Sequence, residues 1–201
     1  TGRNCLNLDP WAMGSDRCAA LLWQQGEGCD TIIIEGVMGL FDGPDGAKGS
    51  TADLAADLGL PVMLVVDCAH QAQSIAALLR GFVVHRSDVT IAGVFLNRVK
   101  SDRHARLLHD SAALLGLPVL GQMRQNDSYN MPSRHLGLVQ AQENQDLEGF
   151  LETVASGVTR ETKLDSVLSC TAEFSNQVSK TLTALPPLAQ TGWRGATLQQ
   201  V

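Results

Sequence analysis

Residues 32–51 read IIIEGVMGLFDGPDGAKGST, which places Glu35, Asp42, Lys48, Ser50 and Thr51 in one glycine-rich stretch. Two chemistries fit such a set. In the first, the stretch is a phosphate-cradling loop. The pattern G-x-x-x-x-G-K-[ST] puts Gly directly before Lys, because main-chain N–H groups cup the phosphate while the ammonium reaches over it. Here the order is Ala47-Lys48-Gly49-Ser50, no other Lys follows a Gly, and 13 residues separate Val37 from Thr51. No P-loop is recognisable in this chain. In the second, Glu35 ends a parallel strand at the edge where open α/β sheets place their ligands, and its carboxylate holds Mg²⁺ beside nucleotide phosphates. Asp42 follows seven residues later, in a loop whose glycines let backbone approach a ligand closely. A salt-bridged or capping Glu35 and a turn-forming Asp42 satisfy the same spacing.

The elements that must position these groups follow from hydrophobic pattern. Residues 31–37, 62–67, 91–97 and 119–123 are near-continuous apolar runs, as expected of strands buried on both faces of a parallel sheet. Helical stretches fall between them. Asp9-Pro10 is a cap followed by Pro at the first helical position, predicting a helix to about Gln25. Ser50-Thr51-Ala52-Asp53 has the form of a capping box before ADLAADLG, with Gly59 placed as the stop. QSIAALLRGFVV and DRHARLLHDSAALLG supply two further amphipathic segments. The regular alternation gives the α/β class, a parallel sheet with helices on both faces. From about residue 146 the texture turns to Ser, Thr and Pro, which predicts a first domain over 1–145 and a terminal helix with linker or tail over 146–201.

Composition narrows the partners. A net charge of -6 argues against general nucleic-acid binding, which needs clustered Lys and Arg. No apolar run has the roughly 20 residues of a membrane span, and the first residues lack a signal-peptide pattern, so a cytoplasmic setting is expected. The five cysteines form no C-x-x-C pair and read as reduced thiols.

EGVMGLFDG, followed by GSTADLAADLGLPVMLVVD, resembles the cobyrinic acid a,c-diamide synthase family. RNCLNLDPWAMG, IAGVFLNRVKSDRHARLL and SRHLGLVQAQE fit the same family in the same order, so the likeness covers about residues 1–145. The resemblance implies a P-loop NTPase-like fold, akin to dethiobiotin synthetases and MinD-like ATPases. It implies ATP-dependent amidation of side-chain carboxylates of a corrinoid polycarboxylate in cobalamin biosynthesis, through an acyl phosphate. ATP and Mg²⁺ are the implied cofactors, and a glutamine amidotransferase domain is the implied source of ammonia. Glu35 then matches the acidic residue near Mg²⁺ and phosphates, and Asp42 the loop aspartate handling substrate or ammonia. Asn97 matches the Asn that recognises adenine, against a plain strand-end turn residue. Asp9 is a substrate contact or simply an N-cap. Arg134 and His135 bind substrate carboxylates or form a solvated pair. Asp67 sits near phosphate-bound Mg²⁺ or caps the next helix, and Ser50 and Thr51 are caps before they are ligands.

The family's P-loop would lie upstream of Thr1, so the fold is expected to be incomplete at its N-terminus and the isolated chain weak or inactive as an ATPase and ligase. Residues 146–201 resemble no amidotransferase. A MinD/ParA-like partner-binding switch and a catalytically dead remnant are the rival readings, and dethiobiotin synthesis is disfavoured by VMGLFDG. Oligomeric state is open in the sequence, with a homo-oligomer one route to a missing strand.

Overall fold

The computed structural model describes residues 5–130, 133–134, 137–138 and 146–172. These fall into two compact units, one ending at Leu54 and the other running Ala55–Ala172.

The first unit opens with helix α1, Pro10–Met13, and continues as α2, Ser15–Gly26. The single helix expected to Gln25 is broken at Gly14, whose φ of 76° and ψ of 158° lie outside helical space. Cys18, Ala19 and Leu22 form the buried stripe of α2. Residues 31–37 depart from expectation. They belong to no strand, and Ile33 and Val37 are 90% and 95% exposed. β-Branched residues favour extended backbone, yet a strand exists only where its N–H and C=O groups meet a neighbour's, and no ladder reaches this segment among the described residues. Helix α3, Thr51–Leu58, follows and ends at Gly59, with φ 64°.

The second unit carries the sheet. Strands β1 (Val62–Asp67), β2 (Ile91–Val99) and β3 (Val119–Arg124) pair in parallel in that order. Helices α4 (Ile75–His85) and α5 (Asp102–Ala113) make the two crossovers. The expected α/β class with a parallel sheet is what the chain forms. Val66, Val94 and Leu96 from the strands join Ile75, Leu79 and Leu108 from the helices in one core. Removing each such large side chain from water contributes about 1.5–3 kcal/mol. Met63 and Val65 alternate with the core residues of β1 and are exposed.

Short strands β4 (Ser133–Arg134) and β5 (Gly137–Leu138) pair antiparallel. Helices α6 (Leu147–Glu161) and α7 (Leu164–Ser169) complete the unit. After α6 the chain returns to β3. Thr162 bridges Gly121 antiparallel, and Lys163 donates its N–H to the Leu120 carbonyl at 3.0 Å. These contacts cover part of an edge that would otherwise present open hydrogen-bonding groups.

Candidate nucleotide and substrate site

The glycine-rich stretch folds onto itself. A Cβ at Gly36 would lie 2.9 Å from Thr51 Oγ1, one at Gly43 3.0 Å from Ser50 N, and one at Gly39 would collide with Asp42 Oδ2. Ala52 N–H donates to the Leu40 carbonyl at 2.9 Å, and Leu40 is buried. The close approach that glycine permits here is to the opposite limb of the same loop, as in compact Ω-loops. Trp11 of α1 reaches this loop at Gly49.

The capping box decides the phosphate question. Asp53 Oδ2 accepts from Gly49 N and Ser50 N, both at 3.0 Å, and from Ser50 Oγ at 2.8 Å. Ser50 Oγ accepts from Asp53 N at 3.1 Å. The main-chain donors that would cup a phosphate are therefore engaged by a carboxylate, which also repels an anion. Ser50 is a cap.

Glu35 is exposed and has no hydrogen bond or ion pair among the described residues. Asp42 is exposed in the same loop, its N–H donating to the Gly39 carbonyl at 3.0 Å. Asp9 caps α1, with Oδ1 accepting from Trp11 N and Ala12 N at 3.0 Å each. Burial, and then the Asp9 charge, push the nearby Cys18 thiol up. Among the described residues no three His, Cys, Asp or Glu side chains gather as a metal cage. A lone free carboxylate such as Glu35 still suits Mg²⁺, which takes one or two carboxylates and completes its shell with phosphate and water.

In the second unit the carboxyl ends of β1 and β2 bring Asp67 beside Asn97 in register. Asp67 Oδ1 accepts from Ala69 N at 3.0 Å, and Oδ2 pairs with Arg98 Nη1 at 2.8 Å. Asn97 Oδ1 accepts from Arg98 N at 2.9 Å, which orients the carboxamide. Arg98 is the one non-glycine with positive φ among the described residues, at 60°, where the ladder to β3 shifts register. This left-handed residue turns its guanidinium back to Asp67 and costs on the order of 1–2 kcal/mol of backbone strain. Cys68 follows, fully buried. Desolvation and the Asp67 charge push its thiol up to about 11, so it is no nucleophile at neutral pH.

Beyond β2 and β3 lies a cavity of about 560 Å³ lined by Lys100, Arg124, Asn126, Tyr129, Arg160 and Glu161. Arg124 hydrogen-bonds the Asp102 carboxylate and lies 3.6 Å from Glu161. That hydrogen bond and the guanidinium charge hold the Asp102 carboxyl below its usual range. The cavity is open to solvent and lined almost wholly by polar and charged side chains, beside the carboxyl end of β3.

Residues 16–133 match the family model described as AAA domain. The chain belongs to the AAA domain family. Within this AAA domain the matched span runs from α2 to the start of β4 and includes Glu35, Asp42, Asp67 and Asn97. The chain is 47% identical over 167 residues to a hydrogenobyrinate a,c-diamide synthase of Sinorhizobium sp, covering 83% of this chain and 38% of that protein. It is 45% identical over 190 residues to the synthase of that name from Rhizobium meliloti (strain 1021), covering 94% and 44%. The Brucella anthropi synthase is 52% identical over 166 residues, covering 82% and 38%. The chain thus spans about two fifths of the length of these curated relatives. No solved structure matches it. The resemblance drawn from EGVMGLFDG and its companions is borne out.

The structure brings Asp67 and Asn97 together, and Glu35 and Asp42 lie in one loop of the other unit. Arg134 lies in β4, paired with Gly137, and His135 falls outside the described residues. Arg98 escaped the sequence reading. Its left-handed backbone sits on a residue type with no preference for that region, so only the following Val-Lys-Ser loss of strand pattern hinted at it.

Proposed function

We propose that this chain is the nucleotide-binding, amide-forming part of a hydrogenobyrinate a,c-diamide synthase-like ligase. A side-chain carboxylate of a corrinoid polycarboxylate, cobyrinic or hydrogenobyrinic acid, attacks the γ-phosphorus of ATP, and ADP leaves. Ammonia then attacks the acyl carbon, and phosphate departs as the amide forms. Glutamine supplies that ammonia through a glutamine amidotransferase domain, and the reaction runs in the cytoplasm. The 45% identity over 190 residues to a protein of that name carries the reading.

The chain's own residues take distinct parts. The Asn97 NH₂, held outward because Oδ1 is engaged, donates to the base of the nucleotide. Asp67 and Arg98 flank it as a fixed ion pair. Glu35 has the free carboxylate suited to Mg²⁺, whose chemistry when bound is neutralisation of phosphate charge. Asp42, on a loop stiffened by its own close packing, orients the substrate or the incoming ammonia. Asp9, Arg134 and His135 contact the substrate, the last two through its carboxylates.

The test is a chimera in which this chain replaces the matching 190 residues of the Rhizobium meliloti synthase. Supplied with hydrogenobyrinic acid, ATP, Mg²⁺ and glutamine, the chimera is expected to yield the diamide with one ADP per amide. A soluble, folded chimera that hydrolyses no ATP and forms no amide would overturn the proposal.

A further inference from the structure

One imidazole ties together the turns that follow β1 and β2. His104, half-buried in the first turn of α5, sets Nε2 2.6 Å from the Gln71 carbonyl oxygen. Its Nδ1 accepts the Lys100 N–H at 3.1 Å. A main-chain N–H only donates and a carbonyl only accepts, so Nδ1 carries the lone pair and Nε2 the proton.

The partners on either side lead back to the sheet. Gln71 Nε2 donates to the Asp67 carbonyl at 3.1 Å, and Gln71 N–H to the Cys68 carbonyl at 3.2 Å. Cys68 N–H donates to the Asn97 carbonyl at 2.8 Å, and Lys100 follows Asn97 by three residues. The hydrogen bonds form a closed circuit from β1 through Gln71, His104 and Lys100 to β2 and back. Helix α5 does not need this tie for its own seating: Leu108 and Ala112 are fully buried and Ser101 caps the helix, accepting from His104 N at 3.2 Å. Solvent could satisfy the exposed turns as well. What the imidazole adds is a fixed separation between them.

We infer that His104 is a positioning residue for the nucleotide site: as the Nε2–H tautomer it locks together the turns that follow the strands carrying Asp67 and Asn97. The inference rests on the reading above, that this edge takes the nucleotide. Rigid support of this kind matters because a recognition group misplaced by about 1 Å loses much of its effect.

Substitution separates the two bonds. Asn places an oxygen where Nδ1 stood and keeps the Lys100 bond, while Gln places a donor where Nε2 stood and keeps the Gln71 bond. His104→Leu loses both. On the 201-residue chain, imidazole ¹⁵N shifts are expected to report the proton on Nε2 alone, and a proton on Nδ1 overturns the inference. In the chimeric synthase described above, ATP with Mg²⁺ is then titrated while the Asn97 side-chain amide is followed. His104→Leu is expected to raise Kd about tenfold, with the Asn and Gln variants between it and wild type. Should the Leu variant fail to fold, weaker binding by both Asn and Gln variants is the supporting result. Wild-type affinity in folded variants overturns the positioning role alone. No ATP response in the chimera carrying the unsubstituted chain overturns the nucleotide reading, and the inference with it.

Discussion

TIIIE, which opens 31–37, and VMLVVD at 62–67 are alike as sequence, each a run rich in β-branched residues ending in an acid. In the molecule they differ. Val62–Asp67 lies in register beside β2 and lends Val66 to the core, while residues 31–37 hold no ladder and expose Ile33 and Val37 almost fully. The difference teaches that strand propensity is a preference for extended backbone, and that a strand is a relation between segments. The acids follow suit. Asp67 is fixed by Ala69 and Arg98, whereas Glu35 has no partner among the described residues.

The comparison breaks most readily in the core. Leu96→Ala, at a fully buried position of β2, is expected to cost about 2–5 kcal/mol in chemical denaturation. Ile33→Ala, at a position 90% exposed, should change the midpoint by less than about 0.5 kcal/mol. Comparable losses at both sites would mean that 31–37 is paired in solution.

Glu35 sharpens the same contrast on the chemical side. In the chimeric synthase, Glu35→Gln is expected to lower the amidation rate about a hundredfold with the fold intact, the scale of losing one electrostatic stabiliser. Asp67→Asn, which removes a charge already neutralised by Arg98, should cost less than about tenfold. Steady-state rates for the two variants decide it, and a reversed order would move the chemistry to the β1 edge.

Much of this was legible in the sequence. The strand segments at 62–67, 91–97 and 119–123, the helices between them and the Ser50–Asp53 cap all follow from periodicity and cap residues, because those signals are local. The strand at 31–37 was overcalled because its pattern says nothing about a neighbour. Asp9 was legible as a cap, and its two hydrogen bonds to α1 account for its acidic side chain. The close packing of Gly36 and Gly43 was read as room for a ligand, since glycine announces close approach without naming what approaches. His104 and Arg98 were invisible for a related reason: their roles depend on Gln71 and Asp67, residues 33 and 31 positions away.

A smaller effect tests the loop itself. Ser50→Ala removes the acceptor for Asp53 N and one donor to Asp53 Oδ2, and should cost about 1 kcal/mol by thermal or chemical denaturation. The same substitution should leave ATP affinity within about twofold, since these groups serve the helix. A large loss of ATP binding without a loss of stability would restore the phosphate-loop reading that the Asp53 cap displaces.

The smallest effect lies on the sheet side and is seen only against pH. Asp102 begins α5 and Arg124 ends β3, and their hydrogen bond holds the Asp102 carboxyl below its ordinary value of 3.8. A carboxyl with a folded-state value below its unfolded one adds stability above the unfolded value, and that stability fades as pH falls through the folded value. Asp102 is largely exposed, so solvent screening keeps the gain small. Wild type and Asp102→Asn should therefore differ slightly at neutral pH, wild type being the more stable. Their denaturation midpoints should begin to converge as pH drops below about 3.8 and meet once it lies below the lowered folded-state value. A gap that persists in acid would show that Asp102 acts through the shape of the α5 N-terminus rather than its charge, and high salt at neutral pH separates the two, because it weakens only the ion pair.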